Sequence, residues 1–253
     1  KRNDKSTIIM IKTTKGKGYK YAEEDSVGKW HGVGKFNPAT GEIYSNGKTS
    51  WSSYFASLVK EQLSNDKKSV CIVPGTAVGS DLAPLFNEFP DRMIDVGIAE
   101  EHALILASGL SISGYHPIIS IYSTFLQRGY DELSHDLARM NLPATLLIDR
   151  SGLVGNDGET HQGIYDVSFL TSIPNVIIAT PSNDKYANKL FEESFKQHSP
   201  FAIRYPKEDV KNNEQLVNYV KNTLITEDIN LYGKLISNFS WMTTSSDIYS
   251  ILN

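Results

Sequence analysis

"ATLLIDRSG", residues 144–152, is an unbroken apolar run that stops at a charged pair and a glycine. A strand with one face in water alternates apolar and polar residues. This run does not, so it reads as a strand covered on both faces, as in a parallel sheet between helices. Comparable runs lie at 70–73, 93–98, 117–122, 175–179 and 201–204, with helical stretches between them near 81–88, 99–113, 124–140, 165–172 and 182–197. Such alternation predicts an α/β fold, a doubly wound, mostly parallel sheet with helices on both faces. Pro143 and Pro174 stand just before strands, where a missing N–H is tolerated. Ser182, after Pro181, is the expected N-cap of the last helix. Upstream, "SSYFASLVKEQLSN" sets Phe55, Leu58, Val59 and Leu63 on one helical face.

The chain has 253 residues, 40% hydrophobic and 21% charged, which suits a packed core. A net charge of −4 argues against a nucleic-acid partner held by phosphate contacts, and the short basic start (Lys1, Arg2, Lys5) does not change that. No stretch approaches the length of apolar chain that crosses a bilayer, so no membrane partner is expected. The single cysteine, Cys71, sits in "SVCIVPG" and reads as a buried structural thiol in a reducing compartment. With no signal-peptide core at the N-terminus, the expected location is cytoplasmic, a plastid-type organelle being the alternative. Residues 7–13 read as a buried strand left through "KGKGY", and residues 20–50 as a long connection.

In doubly wound sheets ligands bind outside the carboxyl ends of the strands. Those ends carry Glu100, Tyr122, Phe125, Arg128, Arg150 and Arg204. Glu100 is either a first-turn glutamate favoured by the helix dipole or a partly buried carboxyl that bonds a ring nitrogen. Phe125 is either core or a platform for a flat heteroaromatic ring. The arginines are either solvated or able to fork onto a phosphate or carboxylate. In "DRSGLVGNDGETHQG" Asp157 and His161 stand four apart, as a turn cluster or an acid–base pair; a third metal ligand is lacking, so no metal site is assigned. His31, in "WHGVGKFNPATG", is either packing or a site residue.

"DRMIDVGIAEEHA", "GYHPIISIYSTFLQRGYDELSHD", "NLPATLLIDRSGLVGNDGETHQGIYDVSFL" and "IATPSN" closely resemble the 1-deoxy-D-xylulose-5-phosphate synthases, in the transketolase-like, thiamine-diphosphate-dependent group. "TTKGKGYKYAEEDSVGKWHGVGKFNPATGE" resembles the segment joining that family's first two domains. The resemblance implies three parts: 1–50 as the end of a first domain plus linker, 51–206 as a pyrimidine-binding domain, and 207–253 as a polar tail without the family's C-terminal domain. It implies condensation of pyruvate with glyceraldehyde 3-phosphate, with loss of carbon dioxide, in isoprenoid precursor and thiamine biosynthesis, by a likely homodimer. Glu100 would bond the aminopyrimidine of thiamine diphosphate, Phe125 would stack on it, and Ile98 and Arg128 would line its pocket. Tyr122 and Asp157 would lie near the substrates, Arg150 and Arg204 would grip the aldehyde's phosphate, and His161 and His31 would orient groups and transfer protons.

Two departures stand out. The family's G-D-G motif, which holds Mg2+ and the cofactor's diphosphate, is absent, and Pro74-Gly75-Thr76 replaces the family's Pro-Ala-Met. The diphosphate and metal ligands are therefore expected outside this chain, and the isolated chain is expected to be inactive. A subunit of a split enzyme and a non-catalytic dimerisation module are the alternatives.

Overall fold

The computed structural model describes residues 6–26, 28–44 and 47–210. The chain divides into two compact units, Lys1–Gly47 and Lys48–Asn253. The expectations for Lys1, Arg2 and Lys5 and for the tail from residue 211 lie outside the described residues.

In the first unit a short helix, α1 (Lys20–Glu23), precedes a 3-10 turn, Lys29–His31. The Asp25 carboxylate accepts the N–H groups of Gly28 at 3.1 Å and Trp30 at 2.8 Å, which fixes that turn. Tyr19, Trp30 and Phe36 form an aromatic cluster. The strand expected at 7–13 is not formed: Ile8, Ile9, Met10 and Ile11 are exposed. A strand needs neighbours to complete its ladder and cover its face. The apolar pattern signals propensity, but no strand among the described residues pairs with it.

The second unit runs α2 (Trp51–Asn65), β1 (Ser69–Val73), α3 (Leu85–Glu88), β2 (Met93–Asp95), α4 (Glu100–Ile112), β3 (His116–Tyr122), α5 (Ser123–Leu126), α6 (Tyr130–Glu132), β4 (Ala144–Asp149), α7 (Asp166–Leu170), β5 (Ile177–Ala179), α8 (Asp184–Ser194) and β6 (Pro200–Arg204). The six strands are parallel, in the order β2-β1-β3-β4-β6-β5. The apolar run at 144–149 is β4, buried along its whole length. Its side chains alternate between two cores. Leu147 joins Phe55, Val59 and Leu63 of α2 and Phe191 of α8. Leu146 and Ile148 join Leu104 of α4 with Leu133 and Leu137. Each such side chain contributes about 1.5–3 kcal/mol by leaving water. The start and the end of the unit meet: Trp51 N–H donates to Glu208 O at 2.9 Å and Val210 N–H to Thr49 O at 2.8 Å.

Three local expectations are corrected. The helix at 124–140 is irregular: α5, a 3-10 turn, α6 and a π turn at Leu133–Ala138 follow one another. Gly129 lies where this segment presses on α4, and a Cβ there would come 2.3 Å from the Leu104 side chain. Packing, not propensity, sets the path. The N-cap of α8 is Asn183, whose Oδ1 accepts Tyr186 N–H at 3.0 Å, rather than Ser182. The strand expected at 93–98 ends at Asp95, whose Oδ1 accepts the N–H groups of Gly75 at 3.0 Å and Gly97 at 2.8 Å.

The chain leaves β1 for β2 on one side and returns to β3 on the other. This reversal opens a crevice between the carboxyl ends of β1 and β3, where open α/β sheets bind ligands.

Candidate active site

Glu100 is the first residue of α4, where the helix dipole favours a carboxylate. Its residue is only 2% exposed. Oε2 is buried with no hydrogen-bond partner. The Arg128 Nη1 lies 3.8 Å away, beyond hydrogen-bond reach, and the Arg128 side chain is exposed. Leaving such an oxygen unpartnered costs about 1–3 kcal/mol, so the position is an open acceptor or proton-sharing point. Ile98, two residues earlier, is 83% exposed. Thr76 Oγ1 is a second buried oxygen without a partner.

At the end of β3, Tyr122 and Phe125 stack with centroids 5.4 Å apart and planes inclined by 15°. His161 meets Phe125 edge-on at 5.2 Å, and its Nδ1 lies 3.0 Å from Thr160 Oγ1. The Arg150 guanidinium covers the other aromatic ring, 3.8 Å from the Tyr122 centroid. Burial pushes the Tyr122 hydroxyl pKa up, against the pull of Arg150. The backbone passes close beside it: a Cβ on Gly79 would come 1.9 Å from the Tyr122 hydroxyl oxygen.

Arg150 is buried and its backbone is left-handed, at φ 59°. Each nitrogen faces an acceptor. Nη2 donates to Gly79 O at 2.9 Å and Nε to Asp157 Oδ2 at 3.2 Å. Nη1 makes an ion-pair contact with Asp149 Oδ2 at 2.9 Å, without hydrogen-bond alignment. Asp149 is itself fixed by Ser52 Oγ at 2.8 Å and by the Arg150 N–H at 2.7 Å. Burial raises the Asp149 pKa, opposed by Arg150 and Ser52. Asp157 is also paired with Lys207 Nζ. Burial pushes the Asp157 carboxyl up, but Lys207 and Arg150 outweigh it and hold the group below its ordinary value.

Arg204 ends β6 and forks onto the fully buried Asp166 of α7, Nε to Oδ2 at 2.9 Å and Nη2 to Oδ1 at 3.0 Å. The structure therefore gives the two arginines different carboxylate partners. It gathers Tyr122, Phe125, His161, Arg150 and Asp157 into one set of contacts and joins Glu100 to Arg128. Asp157 and His161 have different partners rather than each other. His31 belongs to the first unit, exposed, with Nδ1 3.1 Å from Lys15 Nζ. Among the described residues no group of three or more His, Cys, Asp or Glu could hold a metal. Sequence reasoning missed Ser52, Gly79, Asp166 and Lys207. Only Lys207 carried a local signal, a cation three residues beyond Arg204.

A doubly wound sheet with a buried glutamate opening the helix after β2 defines a class, and sequence comparison agrees. The chain belongs to the transketolase pyrimidine-binding domain family, whose model matches residues 47–212. Curated relatives are 1-deoxy-D-xylulose-5-phosphate synthases. That of Listeria innocua is 48% identical over 210 residues, covering 82% of this chain and 33% of the relative. That of Clostridium acetobutylicum is 46% identical over 200 residues, covering 79% and 32%. The chain thus spans about a third of the length of the curated relatives it matches. Among solved structures, a transketolase from Campylobacter jejuni superposes with a TM-score of 0.59 at 15% identity, over 66% of this chain and 27% of that one. A "split gene transketolase, inactive beta4 tetramer" superposes at 0.56 with 22% identity, over 66% and 54%. These two likenesses concern the fold. No helix among the described residues is long and apolar enough to cross a membrane.

Proposed function

We propose that this chain is the pyrimidine-binding part of a 1-deoxy-D-xylulose-5-phosphate synthase. The complete enzyme would be a thiamine-diphosphate-dependent transferase that condenses pyruvate with glyceraldehyde 3-phosphate, releasing carbon dioxide, on the way to isoprenoid precursors and thiamine. Residues 51–206 form the domain concerned and 1–50 the link from a preceding one. The observation that carries the reading is the buried, unpartnered Oε2 of Glu100 beside aromatic and apolar side chains. That chemistry fits the ring half of thiamine diphosphate.

Bound thiamine diphosphate supplies a carbanion-forming ring and an electron sink. Glu100 shares a proton with a ring nitrogen through Oε2. Phe125 and Ile98 give the ring apolar contact and exclude water, and Arg128 offsets the Glu100 charge. Tyr122 and Asp157 border the substrates. Arg150 and Arg204 face the phosphate of the aldehyde, while His161 and His31 orient groups and move protons. The residues 1–253 contain no G-D-G, so the diphosphate and Mg2+ ligands are assigned to the rest of the enzyme. The exposed Ile105 and Ile112, two turns apart on α4, support a homodimer face. A cytoplasmic location accompanies this reading.

The test is a thiamine diphosphate titration and a turnover assay on the complete enzyme, with and without Glu100→Ala. Turnover should fall by at least about 100-fold, the usual worth of a positioned proton-transfer group. Unchanged cofactor response and turnover in the variant would sink the reading. So would measurable condensation by the 253-residue chain alone.

A further inference from the structure

Asp157 makes an unusual pair of contacts. One oxygen meets Arg150 Nε at 3.2 Å and the other pairs with Lys207 Nζ. A single carboxylate therefore lies between two cations that come from different strand ends, β4 and β6. Two acceptor oxygens bridging two donors is also how an oxyanion of phosphate would be held. Asp157 is ionised at neutral pH, since Lys207 and Arg150 hold its carboxyl low.

The two cations differ in what else holds them. Arg150 is pinned by Asp149, Gly79 and the Tyr122 ring, so its Nε points to one place whatever Asp157 does. Lys207 has a flexible stem, a side chain 41% exposed and no recorded partner but Asp157. A lysine of that kind follows an anion rather than fixing it. The loop carrying Asp157 is anchored only at its base and by one side chain. Gly152 and Gly163 exchange backbone hydrogen bonds at 2.7 and 2.8 Å, and Gln162 ties Val154 N–H and Gly158 O. Between those anchors, Gly155 and Gly158 have positive φ, and a Cβ at either would meet nothing within 4 Å. Leu153 on the same loop is 80% exposed. Asp157 can therefore leave its place without opening either core.

We propose that Lys207 is a further phosphate-binding residue, and that Asp157 occupies the place between Lys207 and Arg150 until a phosphate monoester displaces it. Arg204, whose Nη1 is uncommitted beside its Asp166 fork, stands on the neighbouring strand end to take another phosphoryl oxygen. The displaced carboxylate is free to meet water or another group of the closed enzyme. Substrate binding is thus coupled to movement of the 152–163 loop, and unphosphorylated aldehydes lack the charge to move it. The proposal rests on the assignment of a phosphorylated aldehyde as substrate.

The experiment titrates inorganic phosphate into the full chain at low ionic strength by calorimetry, so it requires neither cofactor nor turnover. Lys207→Met should weaken binding about tenfold, as loss of one charge-assisted contact does. Asp157→Asn should tighten it about tenfold, because the competitor is gone. Glu159→Gln, with the same change in net charge on the same loop, should leave it unchanged. Equal gains from Asp157→Asn and Glu159→Gln would reduce the effect to overall charge and overturn the proposal. Phosphate affinity indifferent to Lys207→Met would overturn it as well. In the complete enzyme, Lys207→Met should raise KM for the phosphorylated aldehyde and leave KM for pyruvate alone. A complete enzyme that condenses nothing defeats the assigned reaction, and the phosphate titration still decides the anion site.

Discussion

His116, far from the crevice, makes the chain acid-sensitive by an amount that can be calculated. It opens β3, with Nε2 2.9 Å from Thr145 Oγ1, and Thr145 in turn bonds Ser194 Oγ at 2.8 Å. Its ring lies on Phe195 with centroids 4.3 Å apart. Burial lowers its pKa from 6.5 to about 4, and the weaker attraction of Asp66 opposes this. Lys68 and His198 line the same groove. The unfolded chain takes up a proton on this histidine below pH 6.5, while the folded chain refuses it until about pH 4. His116 therefore costs nothing above pH 6.5. Stability drains away as pH falls through that window and levels off below it. At about 1.4 kcal/mol per pH unit the loss attributable to His116 is roughly 3 kcal/mol. Urea unfolding of the wild type and of His116→Gln, which keeps a donor for Thr145, should be followed from pH 7 to pH 4. The wild-type midpoint should fall by at least about 1 M more than that of the variant. Parallel pH profiles for the two proteins would refute the reasoning.

Gly79→Ala should destabilise the chain by about 1–3 kcal/mol, because its methyl group overlaps the Tyr122 hydroxyl. Tyr122→Phe should restore most of that loss in the double variant, and denaturant midpoints check both. Asp166→Ala strands Arg204 and should cost about 3 kcal/mol, at the low end for a buried pair because Arg204 keeps some access to water. A cycle with Arg204→Met should then show a coupling of about 1–3 kcal/mol, and additive effects would contradict the pairing.

Much of the sheet was legible because burial on both faces leaves an unbroken apolar run, as at 144–149 and 117–122. Where side chains end a strand, the run misleads. Val96 and Ile98 continue the apolar pattern beyond Asp95, yet the Asp95 carboxylate turns the backbone there by taking two N–H groups. The run at 7–13 has the pattern of a strand without a sheet to join. The helix at 124–140 was visible as a period, but its 3-10 and π turns follow from the close approach of Gly129 to α4, a contact between distant residues. The rim residues were found because strand ends can be counted. Their partners were not: Ser52 meets Asp149 across 97 positions, and Arg204 meets Asp166 across 38. No local spacing encodes such pairs. The carboxylates that hold both arginines appear only once the chain is folded.

The outermost strands, β2 and β5, are three residues each, while β3 at the centre has seven. A border that short presents few unpaired amides for another chain to add a strand to. Crowded solutions of this protein should therefore resist fibril formation, and copies that associate should meet through helices.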